Sequence, residues 1–530
     1  MNSGTSNSGT NSAPLVAIEA IDLFERDVRL RMPFRFGVVT LTEAPQAFAR
    51  VQVRLPDGRV AQGGSAELLA PKWFDKDPAL SNEDNFDQLR RALGIARGLY
   101  LADGTATAFG HFARNYQAQV DQGAQAGLNR LVANFGPALI DRAVLDAICR
   151  GLGRSFHDVI RHNVAGIGPT GLCPDLQGFD FDAFLAGLQP ASTISARHTV
   201  GLVDPITAED QSARVDDGLP ETLEEVVKVY GHRWFKLKVG GDIVADIDRL
   251  ARIASVLDRI EGGYRATLDG NEQYDDVDGV LELWHRMRAD DRLARLCRNV
   301  SFIEQPIKRQ AALSQNVSGL STQKPVIIDE SDDSLDAFVL GRQMGYTGVS
   351  SKTCKGFYKS LINRARCLKW NHEESRDEML DPTNPRYLMS AEDLTIQAGL
   401  ALQQDLALVS LMGIRHVERN GHHYVNGMAG LPLAEQEAFL AAHPDLYERS
   451  HGAVRLKIRD GTLGIGSLGC TGFASGPLPD WATMRPMRTD PSAPSAPGRC
   501  GRTRPLPRTT RPGCSGASAT ASSTTCRACW

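Results

Sequence analysis

The stretch RWFKLKVGGDIVADIDRLARIASVLDRIEGGYRATLDGN, residues 233–271, decides the fold. It opens and closes with a short β-rich run. Between them Ile243, Ile247, Leu250, Ala254 and Leu257 recur at spacings of 4, 3, 4 and 3, the single apolar stripe of an amphipathic helix. Strand, helix, strand in this rhythm is a βαβ unit. The same rhythm extends in both directions: ISARHTVGL (194–202) lies before it, and VSFIEQP (300–306), PVIIDES (325–331), TGVSSKT (347–353), YLMSAED (387–393) and IRHVERN (414–420) lie after it. Eight such runs over roughly 250 residues predict an α/β fold of the modified TIM (β/α)8 barrel type.

Outside the barrel, residues 18–69 alternate apolar and polar around an Asp57-Gly58 turn, and residues 83–185 read mostly as helices. The expected layout is an α+β domain over 15–190 and a barrel over 191–451. A strand pair in GAVRLKIRDGTLGIGSL (452–468) is expected to return to the first domain, which 452–485 completes. Residues 1–14 read as a disordered leader and 486–530 as a disordered tail. From Pro491 onward there are six arginines, no lysine, no acid and one large aliphatic, Leu506. That composition cannot build a core, and it is also what a GC-rich gene gives when read in a shifted frame.

The chain of 530 residues is 42% hydrophobic, enough to bury a large core, and its net charge of −4 gives no footprint for nucleic acid phosphates. Removing the six tail arginines takes the charge to about −10. A small molecule is the expected partner. No apolar run of 18 residues and no signal pattern occurs, which predicts a cytoplasmic protein that crosses no membrane. The ten cysteines follow no metal or disulfide spacing and read as reduced thiols; the lone pair Cys526/Cys529 lacks a second pair to complete a zinc site.

In such a barrel the functional groups sit at the carboxyl ends of the strands. The second run ends Lys236-Leu237-Lys238, so both lysines share one face. The third ends Asp269-Gly270-Asn271, the fourth at Glu304, the fifth at Asp329-Glu330, and the sixth supplies Lys352, with Lys355 a rival three residues on. Asp269, Glu304 and Asp329, separated by 35 and 25 residues, converge at one mouth. Carboxylate oxygens alone suit a hard cation, above all Mg2+. Lysines flanking it suit removal of a proton next to a carboxylate, with the pKa of Lys238 drawn down by Lys236 and the cation. Glu392 and Asp393 after the seventh run either cap the following helix or face Lys352 and substrate. The eighth run carries Glu418, and HVERNGHHYVNGM places His416, His422 and His423 near the last loop, where the distal end of a substrate could sit.

KLKV, DGNEQY, IEQP, IIDES and SSK, in this order and at these spacings, resemble the enolase superfamily, specifically its mandelate racemase/muconate-lactonizing branch and the muconate cycloisomerase-like subgroup with lysine on strands two and six. The resemblance spans about residues 15–485. It implies that the amino-terminal α+β domain is a capping domain and that Asp269, Glu304 and Asp329 are Mg2+ ligands. It makes Lys238 and Lys352 the acid/base pair, Lys236 the modulator of Lys238, and Asn271 and Glu330 their support. MPFRFG (32–37) and APKWFDK (70–76) correspond to the loops that close over substrate, which makes Phe34, Phe36 and Trp73, with Glu392 and Glu418, candidate substrate contacts. The implied reaction is abstraction of the α-proton of a small-molecule carboxylate through an enediolate, by an isomerase acting as a racemase or epimerase. The alternatives are a cycloisomerase or syn-dehydratase (lyase) in the same site, and a non-catalytic carboxylate-binding barrel. A homo-oligomer is implied by the family alone. HVERN departs from the Asp-x-Asp that the dipeptide epimerases carry on strand eight, which argues against a dipeptide substrate.

Overall fold

The computed structural model describes residues 13–36, 39–375 and 385–489. The expectations for 1–12 and 490–530 lie outside them. Three long antiparallel strands come first: β1 (Ala17–Phe36), β2 (Val39–Arg54) and β3 (Val60–Leu68). Gly58, with φ of +86°, makes the β2–β3 turn at the predicted Asp57-Gly58. Helices Asn82–Ala102 (α1), Ala108–Gln125 (α2) and Arg130–Leu152 (α3) follow. The capping box of Ser81 and Asp84 starts α1, and Gly153 in the left-handed region ends α3. α3 is buried along almost its whole length because it lies between the sheet and the other helices.

Eight parallel strands then form one curled sheet: β4 (Thr193–Val200), β5 (Trp234–Lys238), β6 (Arg265–Asp269), β7 (Val300–Glu304), β8 (Val326–Ile328), β9 (Gly348–Ser351), β10 (Leu388–Ala391) and β11 (His416–Glu418). Pairing runs without a break from β10 back through β9, β8, β7, β6, β5 and β4 to β11. The fold is a modified TIM barrel behind an α+β cap. At the closing seam side chains replace the ladder: Asp393 N–H donates to Glu418 Oε2 at 2.9 Å, Thr395 N–H to Asn420 Oδ1 at 3.1 Å and Asn420 N–H to Asp393 Oδ2 at 3.0 Å. The helix predicted after β5 runs Ile243–Leu257 behind an Asp242 N-cap; Leu250, Ala254 and Leu257 are buried, with Ile243 and Ile247 at the stripe's margin.

The closing segment departs from expectation. Strands Tyr447–Ser450 (β12) and Ala453–Leu456 (β13) pair with each other, and Thr462–Gly464 (β14) adds to the barrel strand β4, not to the capping sheet. A short strand further on, Arg485–Pro486 (β15), makes the return by pairing with Phe24 and Glu25 of β1. Arg485 is held there by Glu25 (2.9 Å) and Asp27 (2.7 Å), and pairing continues two residues into the segment expected to be tail, where Met487 N–H donates to Leu23 O at 2.9 Å.

Candidate active site

Alternation along β5 turns Lys236 and Lys238 inward and buries Phe235 and Leu237 on the other side. Lys236 Nζ is enclosed by four carboxylates, Asp269 at 2.9 Å, Glu304 at 2.9 Å, Glu392 at 2.7 Å and Glu418 at 3.1 Å. Burial acts to lower its pKa, but these four outweigh it and hold the ammonium well above its ordinary value. Lys238 Nζ donates to Asp269 Oδ2 at 2.5 Å. Lys352, just past β9, donates to Asp329 Oδ2 at 2.6 Å and stands 4.4 Å from the Trp73 ring centre.

The acids differ in what they face. Burial opposes ionisation of Asp329, yet Lys352, Lys355 and Lys236 hold it well below the carboxylate range; Asp269 is lowered in the same way by Lys236 and Lys238. Glu304 is pushed well up, by burial first and then by Asp269 and Glu392. Because β8 stops at Ile328, Asp329 and Glu330 escape strand alternation and both turn to the mouth. Glu330 Oε1 accepts from Asn271 Nδ2 at 3.2 Å, with Lys76 Nζ 3.6 Å away. Gln305, at φ +32°, accepts the backbone N–H groups of Asp329 (2.8 Å) and Ser331 (3.1 Å) and so sets the fifth-strand turn.

The donor set fits a hard cation. Both carboxylate oxygens of Glu304, together with Glu330 Oε2 and Asn271 Oδ1, are buried without a hydrogen-bond partner, although Lys236 Nζ stands close to Glu304 Oε2 outside bonding angles. The oxygens of Asp269, Glu304 and Asp329 do not all fall within 4.8 Å of one another, because the lysine ammoniums sit among them.

Above this layer lies a small cavity of about 20 Å³, room for about one water, walled by Lys238 and Lys352, by Glu418 and Asn420, and by Phe34 and Trp73 of the amino-terminal segment. Phe34 lies at the tip of the β1–β2 hairpin and stacks on Tyr424 at 4.2 Å. The side chain of Phe36 lies outside the described residues. Glu392 does not line the cavity; it is buried between Lys236 and Arg197, and Lys352 reaches it only as a weaker, more distant positive charge. His416 begins β11 and stacks on Trp234, the first residue of β5, at 3.9 Å. That is the amino end of the barrel, so the expected position near the substrate loop is corrected: β11 runs from His416 to Glu418, which leaves His416 two residues short of the mouth. His422 and His423 do lie beyond β11. Lys355 is buried in a 3₁₀ turn, where it reaches Asp329 (3.2 Å) and Asp332 (3.1 Å) below the cavity.

Several members had no signal in the sequence. Lys76 crosses from the cap to Glu272, which Arg309 also holds (2.7 Å), and Arg197 of β4 neutralises Glu392. All are single charged residues in unremarkable local patterns, joined only by the tertiary fold.

Residues 218–346 match the family model described as Enolase C-terminal domain-like. Among solved structures, a candidate mandelate racemase/muconate lactonizing enzyme from Sorangium cellulosum is similar at 16% identity and TM-score 0.52, covering 88% of this chain and 99% of that one. A muconate lactonizing enzyme from Pseudomonas fluorescens, solved with muconolactone, is similar at 17% and 0.51, covering 87% and 96%. An enolase from Bradyrhizobium, solved with magnesium and mandelic acid, is similar at 14% and 0.51, covering 85% and 95%. No curated protein matches the chain. Residues 218–346 are therefore similar to the enolase C-terminal domain-like family. The chain as a whole shares the fold of these three solved structures. The described residues include no helix long and apolar enough to cross a membrane, and their six cysteines are free thiols.

Proposed function

We propose that this protein is a Mg2+-dependent racemase or epimerase that removes and returns the α-proton of a small carboxylate. One observation carries the reading: Lys238 and Lys352 come from β5 and β9, four strands apart in an eight-stranded barrel, and both line the same lidded cavity. An α-carbon held between them is open to proton removal on one face and delivery on the other. Asp269, Glu304 and Asp329 would hold the cation, with Glu330 and Asn271 behind them. When bound, Mg2+ supplies charge stabilisation to the substrate carboxylate as its α-proton leaves. Lys236 orders Asp269, Glu304, Glu392 and Glu418 and places a positive charge beside Lys238. Phe34 and Trp73 cover the substrate and exclude water.

A second reading is favoured by Lys352 itself, wedged between Asp329 and the Trp73 ring. That setting suits an ammonium that stays charged, and a one-base cycloisomerase or syn-dehydratase would use it so. Proton NMR of carboxylic acids in D2O with Mg2+, comparing wild type with Lys238→Ala and Lys352→Ala, separates the two. Exchange into both enantiomers, with each variant losing one direction, supports the two-base reaction. Product formation that survives loss of proton transfer through Lys352 supports the one-base reaction. Binding without exchange in wild type would overturn both in favour of a carboxylate-binding barrel.

A further inference from the structure

Outside the carboxylate site, one group of side chains is built as metal ligands are. We infer that His198, His232 and His422 form a second metal site, for a transition cation of the Zn2+ class, on the outer face of the barrel wall. The neighbours of His198 on β4, Arg197 and Thr199, reach inward to Glu392 and Glu418, so strand alternation turns His198 outward. His232 precedes β5, and His422 lies in the one-turn helix Gly421–Tyr424 after β11. The three contribute ring nitrogens that all lie within 4.8 Å of one another, the one such grouping of His, Cys, Asp or Glu among the described residues.

The protonation state is set by a hydrogen bond. His232 Nδ1 lies 3.0 Å from the carbonyl oxygen of Ala196. A carbonyl only accepts, so Nδ1 carries the proton and Nε2 is left as a lone pair, the second-sphere arrangement that orients metal-binding histidines. That Nε2 is buried without a partner, and so are His198 Nδ1 and His422 Nε2. Three orphaned imidazole nitrogens in one place are costly unless something occupies the space between them. Burial lowers the pKa of all three, that of His232 to about 4, which keeps the rings neutral and ready to coordinate. Two cations stand beside His422: Arg419 is neutralised by Asp405, and Arg455 donates to Asn426 Oδ1 at 2.5 Å; Arg31, which donates to the backbone oxygen of the adjacent His423, is neutralised by Asp217 at 2.6 Å. His422 and Tyr230 also line a small cavity of about 20 Å³, room for about one water in a fourth position.

Three imidazoles and no carboxylate select borderline ions over Mg2+. The site also has a mechanical role. His422 lies two residues from Asn420, which walls the active cavity, and two from Tyr424, which stacks on Phe34 of the lid. A bound ion fastens this loop to β4 and β5, and so fixes one wall of the cavity from outside.

The test uses untagged full-length protein kept in excess Mg2+ to fill the carboxylate site. Wild type should retain one Zn2+ per chain through gel filtration, and Co2+ in its place should give the visible bands of a tetrahedral nitrogen-ligated ion. His422→Asn and His232→Gln should each weaken Zn2+ binding at least about tenfold, whereas Glu304→Gln should retain it. The cobalt spectrum on wild type keeps the test decisive if a histidine variant does not fold. Zn2+ lost on gel filtration, an octahedral oxygen-ligated Co2+ spectrum, or Zn2+ lost in Glu304→Gln and kept in His422→Asn would each overturn the inference.

Discussion

Glu67, near the end of β3, is buried where the cap meets the barrel. Its Oε2 accepts from Arg142 Nη2 at 2.9 Å and from Thr353 Oγ1 at 3.2 Å, and Thr353 is the neighbour of Lys352. Burial pushes the Glu67 carboxyl up to about 7, with Arg142 opposing and Asp405 and Asp393 adding to the rise. In the unfolded chain the group titrates near its ordinary 4.5. The folded protein therefore keeps a proton that the unfolded chain has released. The contribution is complete below 4.5 and is lost as pH rises to about 7. At ~1.36 kcal/mol per pH unit, that gap amounts to about 3 kcal/mol. Glu67→Gln cannot ionise and still offers Arg142 an oxygen. Urea unfolding of both proteins from about pH 4.5 to about pH 8 should show their stability difference moving toward the variant by about 3 kcal/mol. A difference constant to within ~0.5 kcal/mol, or one moving toward wild type with rising pH, would refute the reasoning. The latter would mean that Arg142 wins over burial and the carboxyl lies below its ordinary value.

Asp146 accepts from Gly64 N–H (2.9 Å), Phe473 N–H (2.7 Å) and Ser475 Oγ (2.6 Å). Asp146→Ala strands these buried donors and should cost about 3–5 kcal/mol in urea unfolding. A Cβ on Gly63 would lie 2.2 Å from Ala147 N and 2.3 Å from Ala143 O of α3, so Gly63→Ala should cost about 3 kcal/mol. Gly98→Ala, inside α1 with open space around it, should gain about 0.5–1 kcal/mol. Mg2+ at about a hundred times its Kd should stabilise wild type by ~2.7 kcal/mol in thermal unfolding, and Glu304→Gln should abolish that gain.

The barrel was legible because each strand is a short β-rich run ending in a charged or polar residue, and because the helix after β5 keeps a regular stripe. The lysine pair of β5 and the carboxylates of β6, β7 and β8 were legible for the same reason: period-two alternation and strand ends are local properties. Other features depend on contacts that no local pattern carries. Lys76 meets Glu272 across 196 residues of sequence, and His198 meets His422 only because β4 and β11 are neighbours. β14 looks like any short strand; that it pairs with β4 follows from the free edge there. His416 was misplaced because an apolar run does not mark where its strand begins.

The pairing of β4 has a consequence for how the chain is made. One edge of this strand joins β5 within about forty residues and later takes up β14 at its start, but the opposite edge waits for β11, more than two hundred residues later. At roughly 5–20 residues per second, a ribosome would leave that edge unpaired for on the order of 10–40 s. During that interval the nascent chain presents an open row of backbone donors and acceptors to its neighbours on the polysome. Expression at reduced temperature with abundant nascent-chain chaperones should therefore raise the soluble yield of this protein.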